Sequence, residues 1–326
     1  MKKKKASHRT LTNMGITCIV VSMVVTFAPP AGAGRFHHGH EQACSKTSQA
    51  AFRACSHDIR DDFWIALGNC ANLADHGARK DCRLQTAEVA SESREACADQ
   101  YEARQEVCDA LGQSPYDPQI DPEDFVDPLE IGSSVEPNPY FPLIPGVTRI
   151  YEGGDEIIAV TNTFDTQEIM GVICLVVRDV VEEEGQVIED TFDWYAQDKA
   201  GNVWYFGEIA QNFEDGELVD IEGSWKAGVD GAKAGIIMKA DPAEGQVYRQ
   251  EFFLGDAEDM GEVISLTESA IVPGAACDGD CLLTRDWTPL EPDVEEYKYY
   301  KSGIGVILEV DPETLERLEL VEILGP

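Results

Sequence analysis

The sequence predicts an α+β multidomain protein, with a disulfide-stapled antiparallel helical hairpin followed by an all-β antiparallel meander. The meander would be a barrel, a half-barrel or a sandwich. Six cysteines between residues 44 and 108 are spaced symmetrically. From about residue 147, short β-type runs alternate with turn residues. No helical crossovers separate those runs, which disfavours a parallel α/β arrangement.

Residues 1–33 have the features of a signal peptide. Residues 2–9 are rich in Lys and Arg, residues 15–28 are apolar, and the Ala-Gly-Ala at 31–33 offers small residues at a cleavage position. The apolar run is short for a bilayer span. We therefore expect an exported protein, periplasmic or extracellular, with no membrane span after signal cleavage.

The composition is strongly acidic, with 61 Asp or Glu against 25 Lys or Arg and a formal charge of -36. Such a charge disfavours nucleic acid and anionic membrane surfaces as partners. It is compatible with cation binding, with a basic partner or with a solvated acidic surface.

A His-containing mature N-terminus at residues 34–41 would follow cleavage. His37, His38 and His40 form a tract that can bind Cu(II) or Zn(II), which predicts an envelope metal-handling role as one alternative. Short tracts of this kind also bind metal without a physiological role, and both interpretations stay open.

Residues 42–111 predict the hairpin. The gaps between the six cysteines are 11, 15, 12, 15 and 11, so the spacing is symmetric about residue 76. The arms, 42–73 and 79–111, lack proline, and Asp75 to Gly77 supply turn residues between them. No C-x-x-C or Cys/His metal spacing occurs. The symmetry predicts three nested disulfides: Cys44–Cys108, Cys55–Cys97 and Cys70–Cys82.

Residues 112–146 form a proline-rich, acidic linker, which holds eight prolines. Proline disfavours helix, so an extended connector is expected. Five apolar residues would anchor it to a folded domain: Phe125, Tyr140, Phe141, Leu143 and Ile144.

Residues 147–326 predict an acidic antiparallel β domain of roughly ten to twelve strands. The block "NPYFPLIPGVTRIYEG", continued by "EDTFDWYAQDKAGNVWYFGE", is similar to a recurrent block in uncharacterised secreted bacterial proteins. The similarity covers most of residues 136–305. It implies an exported β-rich domain and no established activity.

The β domain lacks histidine, which excludes a Ser-His-Asp triad or a histidine zinc site built within it. Catalysis would then depend on carboxylates. Asp193, Asp198 and Glu208 are the candidates for an Asp/Glu-dependent hydrolase or lyase acting on an extracellular polymer. Turn capping and solvated strand edges are the structural alternatives.

The tryptophan-containing hairpin of this domain has two different faces. Phe192, Trp194 and Ala196 alternate with Asp193, Tyr195 and Gln197. The first face is expected in the core. The second mixes aromatic and polar groups and could bind a saccharide or a small apolar molecule, or pack across strands. The candidate ligand-binding residues are Asp193, Tyr195, Gln197 and Tyr205.

The remaining cysteines have separate predictions. Cys174 lies in an apolar strand and is expected to be a buried free thiol. Cys277 and Cys281 are expected to form a small disulfide, although the acidic loop between them could hold calcium. The leading functional prediction is an exported acidic binding or scaffold protein with its ligand on the β domain.

Overall fold

The computed structural model describes residues 42–325, beginning with the predicted helical hairpin. Helix α1 spans Ala43–Ala71 and helix α2 spans His76–Leu111. The helices approach closely enough for disulfides because small side chains are buried between them. These side chains belong to Ser48, Ala51, Ala90 and Ala103. The three nested disulfides are present, with Cα atoms 5.6, 6.0 and 5.6 Å apart: Cys44–Cys108, Cys55–Cys97 and Cys70–Cys82.

The turn between the helices lies slightly earlier than predicted. Residues 72–75 form it, and Asp75 caps α2 by accepting a hydrogen bond from the Ala78 backbone N–H at 2.7 Å. His76 and Gly77 therefore belong to the first turn of α2. An Asp at the cap satisfies a backbone donor that the helix itself leaves unpaired.

The connector at residues 112–146 follows the surface of the sheet and is tied to it by backbone hydrogen bonds. Two short 3₁₀ helices, Pro122–Asp124 and Pro128–Glu130, begin at prolines and are capped by Asp121 and Asp127. Of the five predicted anchors, Leu143 is buried in the main hydrophobic core, and the other four are partly buried and pack against it. The connector is therefore a part of the folded structure.

Fifteen β-strands follow within the described residues. They are β1 Thr148–Gly153, β2 Glu156–Ile169, β3 Val172–Glu183, β4 Gln186–Gln197, β5 Val203–Glu214, β6 Glu217–Asp220, β7 Trp225–Lys226, β8 Lys233–Met238, β9 Val247–Arg249, β10 Glu251–Phe252, β11 Met260–Val272, β12 Ala275–Thr288, β13 Glu291–Lys301, β14 Gly305–Val310 and β15 Arg317–Leu324.

The sheet closes on itself. Its hydrogen-bonded order is β10-β8-β5-β4-β3-β2-β1-β15-β14-β13-β12-β11-β9, and neighbouring strands along it are antiparallel. The two ends of this order meet because only Gln250 separates β9 from β10, while β9 pairs with β11 and β10 pairs with β8. Gly235 of β8 permits the contact, since a Cβ there would lie 2.2 Å from the Gln250 carbonyl oxygen.

The strand count differs from the predicted ten to twelve. Four strands of two to four residues, β6, β7, β9 and β10, are too short to show an alternating pattern. The long strand β2 also has no clean alternation, because its register shifts between Asn162 and Thr166.

The hairpin docks directly on the closed sheet, and the two belong to one compact unit. Arg104 of α2 forms a buried ion pair with Glu258, at 2.7 Å between Nη2 and Oε1. Gln100 of α2 donates from Nε2 to the carbonyl oxygen of Leu290 at 2.8 Å. Among residues 42–325, neither helix has the length and apolar character needed to cross a membrane.

Candidate functional site

The closed sheet encloses a cavity of about 340 Å³, called here the lumen cavity. Strands from most of the circumference contribute side chains to its wall, and Phe141 and Pro142 of the connector lie against it. Aliphatic side chains from β2, β3, β8, β14 and β15 form one part of the wall. Asp179, Asp193, Asp286, Lys298 and Glu309 bring charge into it.

A bulge in β5 places the polar groups of the tryptophan hairpin on one face. Asp193 lies opposite Glu208 and Tyr195 lies opposite Tyr205, so two residues of β5, Phe206 and Gly207, oppose the single residue Trp194. Gly207 has φ = +130°. The extra residue puts Glu208 on the face of Tyr205, where strict alternation would put it on the other.

Asp193 and two tyrosines form a packed group at this wall. The Tyr205 hydroxyl donates to Asp193 Oδ1 at 2.6 Å, and the ring of Tyr195 stacks on that of Tyr205 with centroids 4.6 Å apart. Burial raises the pKa of Asp193 to about 7, and nearby Glu189 adds to the rise, whereas hydrogen bonds from Tyr205 and Tyr195 oppose it.

Asp179 of β3 is the second carboxylate of this wall. Asp193 pairs directly with Val177, so Asp179, two residues further along β3, is its diagonal neighbour on the same face. Diagonal neighbours have Cα atoms about 7–8 Å apart. Burial, followed by the charge of Asp193, raises the pKa of Asp179 to about 8. Its Oδ1 is buried and has no hydrogen-bond partner.

A charged cluster centred on Lys298 lies across the cavity. Lys298 of β13 is directly opposite Thr284 of β12 and Glu309 of β14. Its Nζ lies 3.2 Å from Glu296, 3.4 Å from Asp286 and 3.8 Å from Glu309. Burial alone would lower the pKa of Lys298, but Glu309, Glu296 and Asp286 outweigh it and raise the pKa. The positive charge of Lys298 is therefore already balanced by these three carboxylates.

Arg149, the other cation of the lumen cavity, holds the connector in place. Its Nε donates to the carbonyl oxygen of Ile304 at 2.7 Å, and its Nη2 donates to that of Pro142. Asn162 donates to the carbonyl oxygens of Pro142 and Ile144. Burial lowers the pKa of Arg149. Two of its donors are bonded to backbone, and among the described residues Arg149 forms no ion pair with Asp179 or Asp193.

The structure separates the predicted site residues into different roles. Asp193 and Tyr195 line the lumen cavity, and Tyr205 lies behind Asp193 as its hydrogen-bond donor. Gln197, by contrast, is used by the connector: its Oε1 accepts from the Asn138 N–H at 2.8 Å and its Nε2 donates to Glu136 O at 2.9 Å. Its amide is thus unavailable to a ligand in this structure.

Asp198 and Glu208 also differ in position. Asp198 accepts hydrogen bonds from the Asn202 N–H and from Trp204 Nε1, so it has the turn-capping role. Glu208 shares the face of Tyr205, and burial, then the charge of Asp193, raises its pKa to about 8. Both faces of the hairpin are buried, since Trp194 and Tyr205 are each 7% exposed. The second face of the hairpin is therefore not an open surface, and it contributes Asp193 and Tyr195 to an interior cavity.

Sequence reasoning missed Asp179, Asp286, Lys298 and Glu309. A usable signal was present, because Asp179 alternates with apolar residues two positions away, Val177 and Val181, and Lys298 stands between Tyr297 and Tyr299. A charge placed in such a run indicates an inward-facing polar group.

The predicted metal sites receive no support from the described residues. No group of three or more potential His, Cys, Asp or Glu ligands occurs among residues 42–325. His37, His38 and His40 lie outside that range. Cys277 and Cys281 form a disulfide, and in the loop between them Asp280 accepts a hydrogen bond from the Asp278 N–H. Cys174 is a buried free thiol, as predicted.

No protein-family model, curated protein or solved structure matches this chain. The function is therefore inferred from the lumen cavity alone, and the similarity to secreted bacterial proteins remains a prediction.

Proposed function

We propose that this chain is an exported binding protein that holds a small organic cation in the lumen cavity. The observation that carries the proposal is the pair Asp179 and Asp193. Neither carboxylate forms an ion pair with a Lys or Arg among the described residues. The charge of Lys298 lowers the pKa of Asp179 but does not offset burial, so the two neighbouring carboxylates remain costly to ionise, and a bound ammonium group would lower that cost.

The dimensions and lining of the cavity support a small ligand. A volume of about 340 Å³ lies at the lower end of the range for ligand pockets, which is roughly 300–1,000 Å³. A wholly apolar ligand would leave the two carboxylates unpartnered. A saccharide would lack a free ring face on Tyr195, which is covered by Tyr205 on one side and by Phe141 at 5.2 Å.

The compartment is inferred from the chain as a whole. Four disulfides among the described residues require oxidising conditions to form and persist. Together with the signal-like segment at residues 1–33, they support export to the periplasm or the exterior.

The test is calorimetric titration of the purified protein with hexylamine, choline and spermidine, with hexanol as the neutral control. We expect at least one cation to bind and hexanol to bind more weakly. Asp179→Asn should lower the affinity for that cation at least tenfold, because it removes the charge and keeps the shape. Asp165→Asn, an exposed carboxylate on β2, is the matched control and should leave affinity unchanged.

Two outcomes would contradict this proposal. One is that no cation in the panel binds while the protein is folded. The other is that hexanol binds as tightly as hexylamine, since the carboxylates would then contribute nothing.

A second candidate function is acid–base catalysis on a small molecule by the same two carboxylates. It is favoured by their raised pKa values, about 8 for Asp179 and about 7 for Asp193, which suit a general acid and a general base near neutral pH. Assays with p-nitrophenyl glycosides and esters test it, with Asp193→Asn as the control. Turnover that persists unchanged in Asp193→Asn, or no turnover at all, would speak against catalysis by this pair.

A further inference from the structure

A second cavity, the junction cavity, lies between the helical hairpin and the sheet. Its volume is about 760 Å³. The first turn of α1 and the C-terminal part of α2 form one wall, and β8, β9 and the segment after β10 form the other. Apolar side chains dominate part of its surface, and they belong to Val107, Leu111, Phe252, Phe253 and Leu254.

Two arginines line this cavity, Arg104 and Arg249, and the buried carboxylate of Glu258 is paired with Arg104. Arg104 binds Glu258 with both ends of its guanidinium, at 2.7 Å from Nη2 and 3.0 Å from Nε. Glu258 also accepts from the Gly255 N–H at 2.8 Å and is 2% exposed. Both carboxylate oxygens of Glu258 therefore accept hydrogen bonds from Arg104, and Oε1 also accepts one from the backbone.

Arg249 has no such partner. It is 9% exposed, it forms no ion pair with a described carboxylate, and its Nε is buried without a hydrogen-bond acceptor. Among residues 42–325, the only hydrogen bond of its side chain is a weak one from Nη1 to Met260 Sδ at 3.8 Å. The rings of Phe252 and Tyr116 hold the guanidinium, with centroids 4.7 and 5.5 Å from Cζ.

An unpaired charge in such a position is unfavourable for the empty protein. Burial without a counter-ion in contact lowers the pKa of Arg249; the charge of Glu258, although committed to Arg104, partly opposes this, and the positive charge of Arg104 adds to it. The start of α1 adds no such demand, because Ala43 and Cys44 donate their backbone N–H groups to the Gln113 carbonyl oxygen and Ser45 donates to Gln113 Oε1. An anion in the junction cavity would relieve the cost at Arg249.

We propose that the junction cavity binds a small organic monocarboxylate, with Arg249 as the group that receives its carboxylate. The guanidinium presents planar paired donors that match a carboxylate. The apolar side chains around it would cover a hydrocarbon or aromatic body. A multiply charged anion is a poorer fit, because Asp117 and Asp230 also line the cavity. This site is separate from the lumen cavity and does not depend on the function proposed for it.

The test uses octanoate as the probe and calorimetric titration of the full chain, with octanol and octylamine as neutral and charge-reversed controls. We expect octanoate to bind at least tenfold more tightly than octanol. Arg249→Met keeps the apolar part of the side chain and should lower octanoate affinity at least tenfold. Lys233→Met is the matched control: it removes a cation of the same cavity that is already paired with Asp117, and should change affinity less than threefold.

Several results would overturn the proposal. Octanoate and octanol binding equally well to the unmodified protein would do so, and this comparison decides the matter even if Arg249→Met fails to fold. Full retention of octanoate affinity in Arg249→Met would also do so.

Discussion

At the scale of single residues, Gly207 determines which side chains of β5 face the lumen cavity. Its φ of +130° is rarely adopted by other residues, and a Cβ there would lie 2.3 Å from the Trp225 carbonyl oxygen. Gly207→Ala should therefore destabilise the protein by roughly 2–4 kcal/mol in denaturant unfolding.

Gly216→Ala is the matched control for Gly207. Gly216 also has a positive φ, +78°, but nothing lies within 4 Å of a Cβ built there. It should cost only about 1 kcal/mol, the penalty of the left-handed conformation alone. Equal losses in the two variants would mean that the close approach of β7 does not constrain β5.

The buried carboxylates predict how stability depends on pH. In the folded protein the pKa is about 8 for Asp179 and about 7 for Asp193, whereas an Asp in an unfolded chain titrates near 4. Between these values the folded state binds more protons than the unfolded state, so stability falls as pH rises. Their contribution is fully present below about pH 4 and lost above about pH 8.

Calorimetric melting between about pH 5 and about pH 9 checks this, and the melting temperature should fall across that range. General repulsion among acidic groups has the same sign, so a variant is needed. The double variant Asp179→Asn with Asp193→Asn should flatten the slope, and Asp165→Asn should not. A slope unchanged in the double variant would show that these two groups do not titrate as described. Among the groups that face them, Glu189 and Glu309 further raise the pKa of Asp179, and Lys298 lowers it. Glu189 also raises the pKa of Asp193.

At the scale of elements, the docking of α2 on the sheet depends on the ion pair between Arg104 and Glu258. Both side chains are almost fully buried, with 5% and 2% exposed. Removing one partner leaves a buried charge unpaired, so Arg104→Met should cost about 3–5 kcal/mol in unfolding. Replacing both, by Arg104→Met and Glu258→Leu, should recover a large part of that loss.

The exposed pair Arg178–Asp190 is the control for this experiment. It has a similar geometry, 2.7 Å between Nε and Oδ1, but the arginine is 48% exposed. Arg178→Met should therefore cost less than about 1 kcal/mol. If Arg104→Met were equally mild, the hairpin would be held by apolar contacts instead.

The elements also show what a sequence can predict here. The hairpin could be foreseen because six cysteines related by one symmetric spacing specify a local pairing. The lumen cavity could not, because Asp193 of β4 and Lys298 of β13 come from strands far apart in the chain that face one cavity only when the sheet closes. Glu208 illustrates a second limit: strict alternation places it away from Tyr205, and the bulge at Gly207 reverses that assignment.

At the scale of the whole molecule, the dominant property is negative charge. With 61 acidic and 25 basic residues, acidic groups outnumber basic groups more than twofold. Folding brings those charges closer together than in the unfolded chain, so repulsion opposes the compact state. The exposed ion pairs that salt would weaken, such as Arg178–Asp190 and Arg317–Glu319, each contribute little.

Added salt should therefore stabilise this protein. Raising ionic strength from about 0.01 to about 0.15 M shortens the Debye length from about 30 to about 8 Å, which screens repulsion between carboxylates on different strands. We expect the melting temperature to rise in both sodium chloride and sodium thiocyanate over this range. The two salts screen equally but differ in their effect on apolar burial, so agreement between them identifies screening as the cause. A fall in both salts would mean that attractive pairs outweigh repulsion. Repulsion among the carboxylates would then not limit stability, and the acidic surface would contribute to solubility alone.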